Sequence, residues 1–281
     1  MNFSQVETWI IPEGEVLQVK DSNNTRIIWQ KQSGPDYSEH FYIEDLNGTG
    51  GSNVALLHVT RWNSDYPGVE LQYSRDKINW TSLGNTSTGE KTLWINSQDK
   101  IYFRAATNKW YGNSLLLEQY SLPPIPRFGV GGNIMSLLYG SNFTNQSLFL
   151  TDGTNNSAFY NLFYNQDLTY TPGISDASKL LLPTNTVRLC YAQMFRNCGG
   201  LETAPVLPAE TLTDWCYGSM FNDCFLLNYV KCLATSGINT NNSTNNWLSG
   251  VESTGTFVKA AGVTWPTGVN GIPSGWTVQE V

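Results

Sequence analysis

The sequence predicts a mainly β protein: an N-terminal β-hairpin and an antiparallel β-sandwich, followed by a short leucine-rich-repeat solenoid. Three observations lead there. Charged residues make up only 14% of the 281 positions and aromatics 13%, with 10 Trp, 14 Tyr and 25 Gly, whereas an ordinary soluble domain carries about a quarter charged residues. Short apolar runs recur between clusters of Asn, Asp, Ser and Gly, the pattern of strands joined by tight turns. A motif in the C-terminal half returns after twenty-six residues, and a period in the twenties marks a leucine-rich solenoid.

The first segment, residues 1–36, holds Val16-Leu-Gln-Val19 and Ile27-Ile-Trp29 on either side of Asp21-Ser-Asn-Asn24. Two apolar runs around such a turn predict a β-hairpin. A lone hairpin is marginal in water, so this one is expected to anchor on something else. Gln30 to Asp36 is polar and ends in Gly-Pro-Asp, a linker.

The second segment, residues 37–125, carries strand runs at Phe41–Asp45, Val54–Val59, Val69–Ser74, Trp80–Leu83, Lys91–Ile95 and Ile101–Ala105. Six or seven short strands between turn residues predict an antiparallel sandwich. Pro123, Pro124 and Pro126 cannot sit inside a sheet and mark its end.

In the third segment, residues 126–281, Leu189-Cys190-Tyr191-Ala-Gln-Met194-Phe195-Arg-Asn197-Cys198-Gly-Gly-Leu201 matches Trp215-Cys216-Tyr217-Gly-Ser-Met220-Phe221-Asn-Asp-Cys224-Phe-Leu-Leu227. A worn copy precedes them, with Leu162-Phe163 in the Met-Phe slot. In stacked coils the residues Cys190, Met194, Phe195, Cys198, Leu201, Cys216, Met220, Phe221, Cys224 and Leu227 face inward on their counterparts. Solenoids need about three repeats before neighbour contacts outweigh chain entropy. Two clean copies are near that limit, so this segment is expected to lean on the sandwich or on neighbouring chains.

Chemistry is sparse. The five cysteines, with Cys232 the last, are spaced by eight, eighteen, eight and eight residues. That is neither a paired zinc pattern nor an even disulfide set, so they read as small core residues with reduced thiols. No metal site or cofactor is expected: Asp45-Leu-Asn47-Gly begins like a calcium loop but lacks its later carboxylates. There is no Gly-x-Ser-x-Gly, His-Glu-x-x-His or P-loop. The only histidines are His40 and His58, the latter expected as a hydrogen-bonded strand residue. Glu44, Asp45, Glu202 and Glu210 read as ordinary surface carboxylates, and no catalytic residue is assigned. Ser74-Arg-Asp76-Lys-Ile-Asn-Trp80 faintly resembles the Asp-box turn of sialidase propellers, but it is a single copy without the central Gly. A hairpin turn with Trp80 packed in the sandwich explains it better.

A net charge of −7 gathers no phosphates, so nucleic acid is not an expected partner. The longest aliphatic runs are three leucines, at 115–117 and 180–182, so membrane insertion is not expected either. Trp62, Trp94, Trp110 and Trp247 are the candidate surface-contact aromatics, because an exposed indole offers a flat face to a sugar. Met1 to Pro12 has no basic segment followed by an apolar core. The expectation is therefore a protein made in a host cytoplasm and carried outside on a particle, the second explanation being an export signal missing from the sequence.

The unit Cys-Tyr-x-x-Met-Phe-x-x-Cys-x-x-Leu-x-x-Ala-Pro-x-Leu-Pro-Ala-x-Thr-Leu resembles the BspA-like leucine-rich repeats of gut bacteria and their phages. The likeness runs through Asn228–Thr235 and Thr244–Val251 to a cap-like tail at Gly271–Val278, and Gly131–Phe143 resembles the segment that opens such arrays. The hairpin, Ile-Pro-Glu-Gly-x-Val to Ile-Ile-Trp, resembles a module of structural proteins in Bacteroides and crAss-like phages. The array here is shorter than is common in the family. The resemblance implies a non-enzymatic virion structural protein, a head fibre, decoration or tail-associated fibre on the particle surface. Its implied partners are capsid, fibre or tail proteins, further copies of itself in a homo-oligomer such as a trimer, and a host glycan or surface protein. A secreted or surface-anchored bacterial adhesin with leucine-rich repeats is the alternative.

Overall fold

The computed structural model describes residues 36–46, 55–61, 68–96, 99–105, 113–119, 127–144, 146–164 and 173–281, together with two strands before them. The chain divides into two compact units, Met1–Asp36 and Tyr37–Val281. In the first, β1 (Val16–Lys20) and β2 (Arg26–Gln30) pair antiparallel, Val16 opposite Gln30 through to Lys20 opposite Arg26. The Asp21–Asn24 turn lies outside the described residues.

The second unit is again mainly β. Its first strands are β3 (Tyr42–Asp45), β4 (Ala55–Arg61), β5 (Glu70–Ser74), β6 (Thr81–Asn85), β7 (Lys91–Ile95) and β8 (Lys100–Ala105), where the alternating runs lie. The leucine run Leu115–Leu117 falls within a further strand, β9 (Asn113–Gln119). β10 (Arg127–Asn133) and β11 (Gly173–Leu181) follow, with one short helix, α1 (Ser136–Tyr139), after β10. One sheet has the order β11-β10-β3-β8-β5-β6 and another β7-β4-β9. The period of two decides which residues meet between them. Ile43, Leu71, Ile101, Phe103 and Val130 from the larger sheet share one core with Ala55, Leu57, Val59, Ile95, Leu115 and Leu117 from the smaller, each at most 3% exposed.

The boundary expected at 125/126 falls inside this unit. β10 pairs antiparallel with β3 and parallel with β11, so a single strand changes the direction of the sheet. The sequence Arg-Phe-Gly-Val-Gly-Gly-Asn hides this strand, because three of its seven positions lack a side chain. Two of those glycines are required. A Cβ on Gly131 would collide with the Tyr42 ring, and one on Gly132, where φ is +73°, with the carbonyl of His40. The corner after β10 is closed by buried polar groups that are all satisfied. Asn133 donates to the carbonyls of Tyr37 and Gln146 and accepts from the Met135 amide. Ser136 Oγ accepts from the Phe41 amide at 3.0 Å and donates to the Phe103 carbonyl at 2.8 Å.

From β11 onward the chain stacks in successive coils. Bridges from Asp176 to Thr203 and from Thr203 to Tyr229 carry the ladder to β12 (Tyr229–Cys232), β13 (Gly255–Lys259) and β14 (Trp276–Glu280), all parallel. On another side of each coil the backbone runs as consecutive turns with a two-residue rule. The amides of Leu189, Tyr191, Gln193, Phe195 and Asn197 donate to Asp214, Cys216, Gly218, Met220 and Asn222 of the next coil. Those of Cys190, Ala192, Met194, Arg196 and Cys198 donate to the carbonyl three residues back. Every fourth residue takes positive φ: Leu189, Gln193 and Asn197, then Trp215, Ser219 and Asp223, then Asn242, Asn246 and Gly250. Asn and Gly enter that region most cheaply, which accounts for part of the Asn-rich composition.

Ser136 makes the corner testable. Replacing it with Ala strands a buried amide and a buried carbonyl, each worth about 1–3 kcal/mol. S136A should therefore lose roughly 2–6 kcal/mol in a denaturant melt and keep the native circular dichroism at low temperature.

Candidate contact surface

The ten repeat-core residues, Cys190, Met194, Phe195, Cys198, Leu201, Cys216, Met220, Phe221, Cys224 and Leu227, are all fully buried. Two ring ladders run along the coils. Phe149, Tyr191, Tyr217, Trp247 and Trp265 follow one another at 5.5, 5.9, 6.1 and 5.4 Å between centroids. The second starts at Phe41, just before β3, and continues through Phe163, Phe195 and Phe221 at 6.1, 5.1 and 5.6 Å. Phe163 thus occupies the Phe slot of the worn copy.

No disulfide joins the cysteines. The Cys198 thiol donates to the Phe163 carbonyl and the Cys224 thiol to the Phe195 carbonyl, both at 3.0 Å. Burial pushes the Cys190 and Cys224 thiols well above their ordinary range, Cys216 to about 11 and Cys232 to about 12.

Of the four candidate contact aromatics, Trp62 and Trp110 lie outside the described residues. Trp247 is corrected: it is 0% exposed, stacked between Tyr217 and Trp265, and its indole N–H donates to the Gly271 carbonyl at 2.8 Å. A ring on the inner ladder cannot reach a ligand. Trp94 is 48% exposed.

β7 positions Trp94. The pairing of Leu93 and Ile95 with core positions of β4 sends Thr92 and Trp94 to the opposite face of the three-stranded sheet. Leu56 stands directly across from Trp94, and Thr92, His58 and Leu116 form the next row. His58 Nδ1 lies 2.6 Å from Glu90 Oε1 at the start of β7. The Arg75 guanidinium bonds the Trp94 carbonyl at 3.3 Å and the Asp99 carboxylate at 3.0 Å, tying the strand end to the β5–β6 turn. The outer face of this sheet thus places the indole across from Leu56, with Thr92 two residues back on its own strand and the His58–Glu90 pair in the next row. A half-exposed indole is the kind of side chain that can stack on a flat ligand face.

The larger sheet also carries outward aromatics, but the chain's own cations occupy them. Lys100 Nζ sits 3.5 Å from the Tyr42 centroid and the Arg104 guanidinium 4.1 Å from that of Trp80. Trp80 also packs on His40 at 4.7 Å. It belongs to this outer layer rather than to the interior between the sheets. In the adjoining turn, amides of Asn79 and Ile78 and the side chains of Asn79 and Ser74 all donate to Asp76, holding its carboxyl well below the usual range. That acid shapes a turn. Glu44 is paired with Lys179 at 2.7 Å and Glu202 with Arg127 at 2.6 Å, and Glu210 is exposed. A groove of about 290 Å³ between the last two coils is lined by Leu248, Ser249, Glu252, Val269 and Pro273, with no aromatic among its walls.

Among the described residues, no group of three or more His, Cys, Asp or Glu side chains is placed to hold a metal ion, and no helix is long and apolar enough to cross a membrane. Comparison with protein-family models, with curated proteins and with solved structures gives no match in any of the three.

The buried thiols supply a check on the core. None of the five should react with Ellman's reagent over hours in native buffer, and all five should react at once in guanidinium. Rapid native labelling of even one would mean that the coils open.

Proposed function

We propose that this chain is a non-enzymatic structural protein of a bacteriophage virion, of the Bacteroides and crAss-like type, displayed as a head fibre, a decoration or a tail-associated fibre. In this reading the repeat segment is a short BspA-like leucine-rich solenoid, and the two antiparallel sheets before it form a sandwich that serves as its base. The observation that carries the proposal is the unbroken stacking of the coils onto those sheets, through one backbone ladder and the ring ladder that begins at Phe41. A particle protein needs a stiff, passive body of this kind, and the buried ladders supply stiffness without assembling reactive groups. The β1–β2 hairpin is the docking element, since a two-stranded sheet by itself is marginal and gains stability from a host surface on the capsid or tail. The Trp94 face is the contact for a host glycan, weak in one copy and strengthened by many copies on a particle.

Cryo-electron microscopy of particles from the source culture tests the proposal. Density for the chain on capsomers, vertices or tail supports it. Intact particles without the chain, with the chain in cell envelopes instead, would replace it by the surface adhesin. The contact face has its own check: Trp94→Ala should reduce retention on host envelope polysaccharide at least tenfold and leave the melting curve unchanged.

A further inference from the structure

The backbone ladder that runs through the second unit has two outer edges, β6 and β14. They are built differently. The β5–β6 pairing carries a register shift next to Leu71, Gly84 sits in it at φ +89° beside the Lys91 side chain, and a tight helical turn follows at Thr86–Thr88. A bulge of this kind twists an edge away from further pairing. β14 has no such device. It pairs with β13 without interruption, from Gly255 opposite Trp276 to Lys259 opposite Glu280, and contains neither proline nor glycine.

Which backbone groups the β14 edge presents follows from parity. The Val281 amide donates to the Lys259 carbonyl and its carbonyl accepts from Ala261, so residues 277, 279 and 281 face β13. The N–H and C=O groups of Val278 and Glu280 therefore point to the outer edge. The side chains tell the same story. Val230, Phe257 and Val278 stand side by side in the register of the three strands; the first two are 0% exposed and Val278 is 45% exposed. Val278 occupies a core position that lacks only a covering strand.

We infer that a second copy of this chain covers it, the two β14 strands pairing antiparallel about a two-fold axis at Val278. The strand is self-complementary in that register. Val278 meets the partner's Val278, Thr277 the partner's Gln279, and Trp276 the partner's Glu280, so no like charges oppose each other. Glu280 already has a counter-ion in its own chain, Lys259. Four edge hydrogen bonds form: two between the Val278 residues, and one from each Glu280 amide to the opposite Trp276 carbonyl. The Trp276 amide takes no part, because it donates to Pro273. The same edge meeting β6 of another copy would propagate head to tail without closing, and the β6 bulge opposes that. Two-fold pairing removes both open β14 edges in one step.

Sedimentation equilibrium of the full chain at micromolar concentration tests the interface. The native chain should have the mass of two copies, and Val278→Lys, which places two ammonium groups face to face on the axis, should have the mass of one with the native circular dichroism spectrum and a melting temperature that no longer rises with protein concentration. Val278→Cys should form an intermolecular disulfide on mild oxidation, with the five buried native thiols leaving the new one without competition. A single-chain mass for the native protein at tens of micromolar would overturn the inference. So would an oligomer of any size that V278K leaves intact, or a V278C chain that stays uncrosslinked.

Discussion

β10 hydrogen-bonds to an antiparallel neighbour on one side and a parallel neighbour on the other, and every coil after residue 173 is held in register by that change of direction. Coils that run parallel need a first strand that runs their way, and β10 supplies it to β11 through a register with two shifts, at Phe128/Gly129 and Gly129/Gly131. β3 and β8 run the wrong way for this, so β10 must lie flat against β3 while passing its other edge to β11. The requirement explains its composition. Tyr42 crosses Gly131 and the His40 carbonyl abuts Gly132, so the strand approaches its neighbours more closely than a side chain allows. Asn133 and Ser136 then use their polar atoms to satisfy the backbone where the chain leaves the sheet.

Side-chain packing continues the same link. The ring ladder from Phe41 through Phe163 to Phe221 passes from the base of the sheets into the coils, so the apolar core has no seam at that junction. A buried ring removes about 150–250 Å² from water, which at about 25 cal/mol per Å² is roughly 4–6 kcal/mol before entropy is subtracted. A few clean repeats would stand near the limit of stability alone. In this chain the coils are continuous with the sheet edge at β11 and with the ring stack that begins at Phe41.

Much of this was legible in the sequence, and what was not has physical causes. β4 and β7 alternate more and less buried residues because one face lies on the core, so their period of two shows. β9 contains three consecutive leucines and so shows no alternation. β10 reads as a glycine-rich connection because its information lies in the side chains it lacks. The twenty-six-residue motif displays its core directly, since each inward residue recurs opposite its counterpart. Trp247 sits in a coil whose Asn- and Thr-rich lead-in does not align with that motif, so its place on the inner ladder beside Tyr217 was hidden. The exposure of Trp94 could be read from the parity of β7 only once Leu93 and Ile95 were known to face the core.

A chain with so few charges must also decide where its aromatic surface stays accessible. On the larger sheet Lys100 covers Tyr42 and Arg104 covers Trp80, so these rings are shielded by cations whose aliphatic stems also exclude water. On the smaller sheet Arg75 bonds the Trp94 carbonyl at the strand end, and the Trp94 side chain is 48% exposed. The contrast is one of geometry: Arg75 is drawn to Asp99 at the strand end, and a guanidinium held there cannot lie over the indole. The same ion pair fixes the end of β7, the strand that carries Trp94. Apolar side chains exposed on this molecule include Trp94 on the flank and Val278 on the last strand, each placed by the parity of its strand.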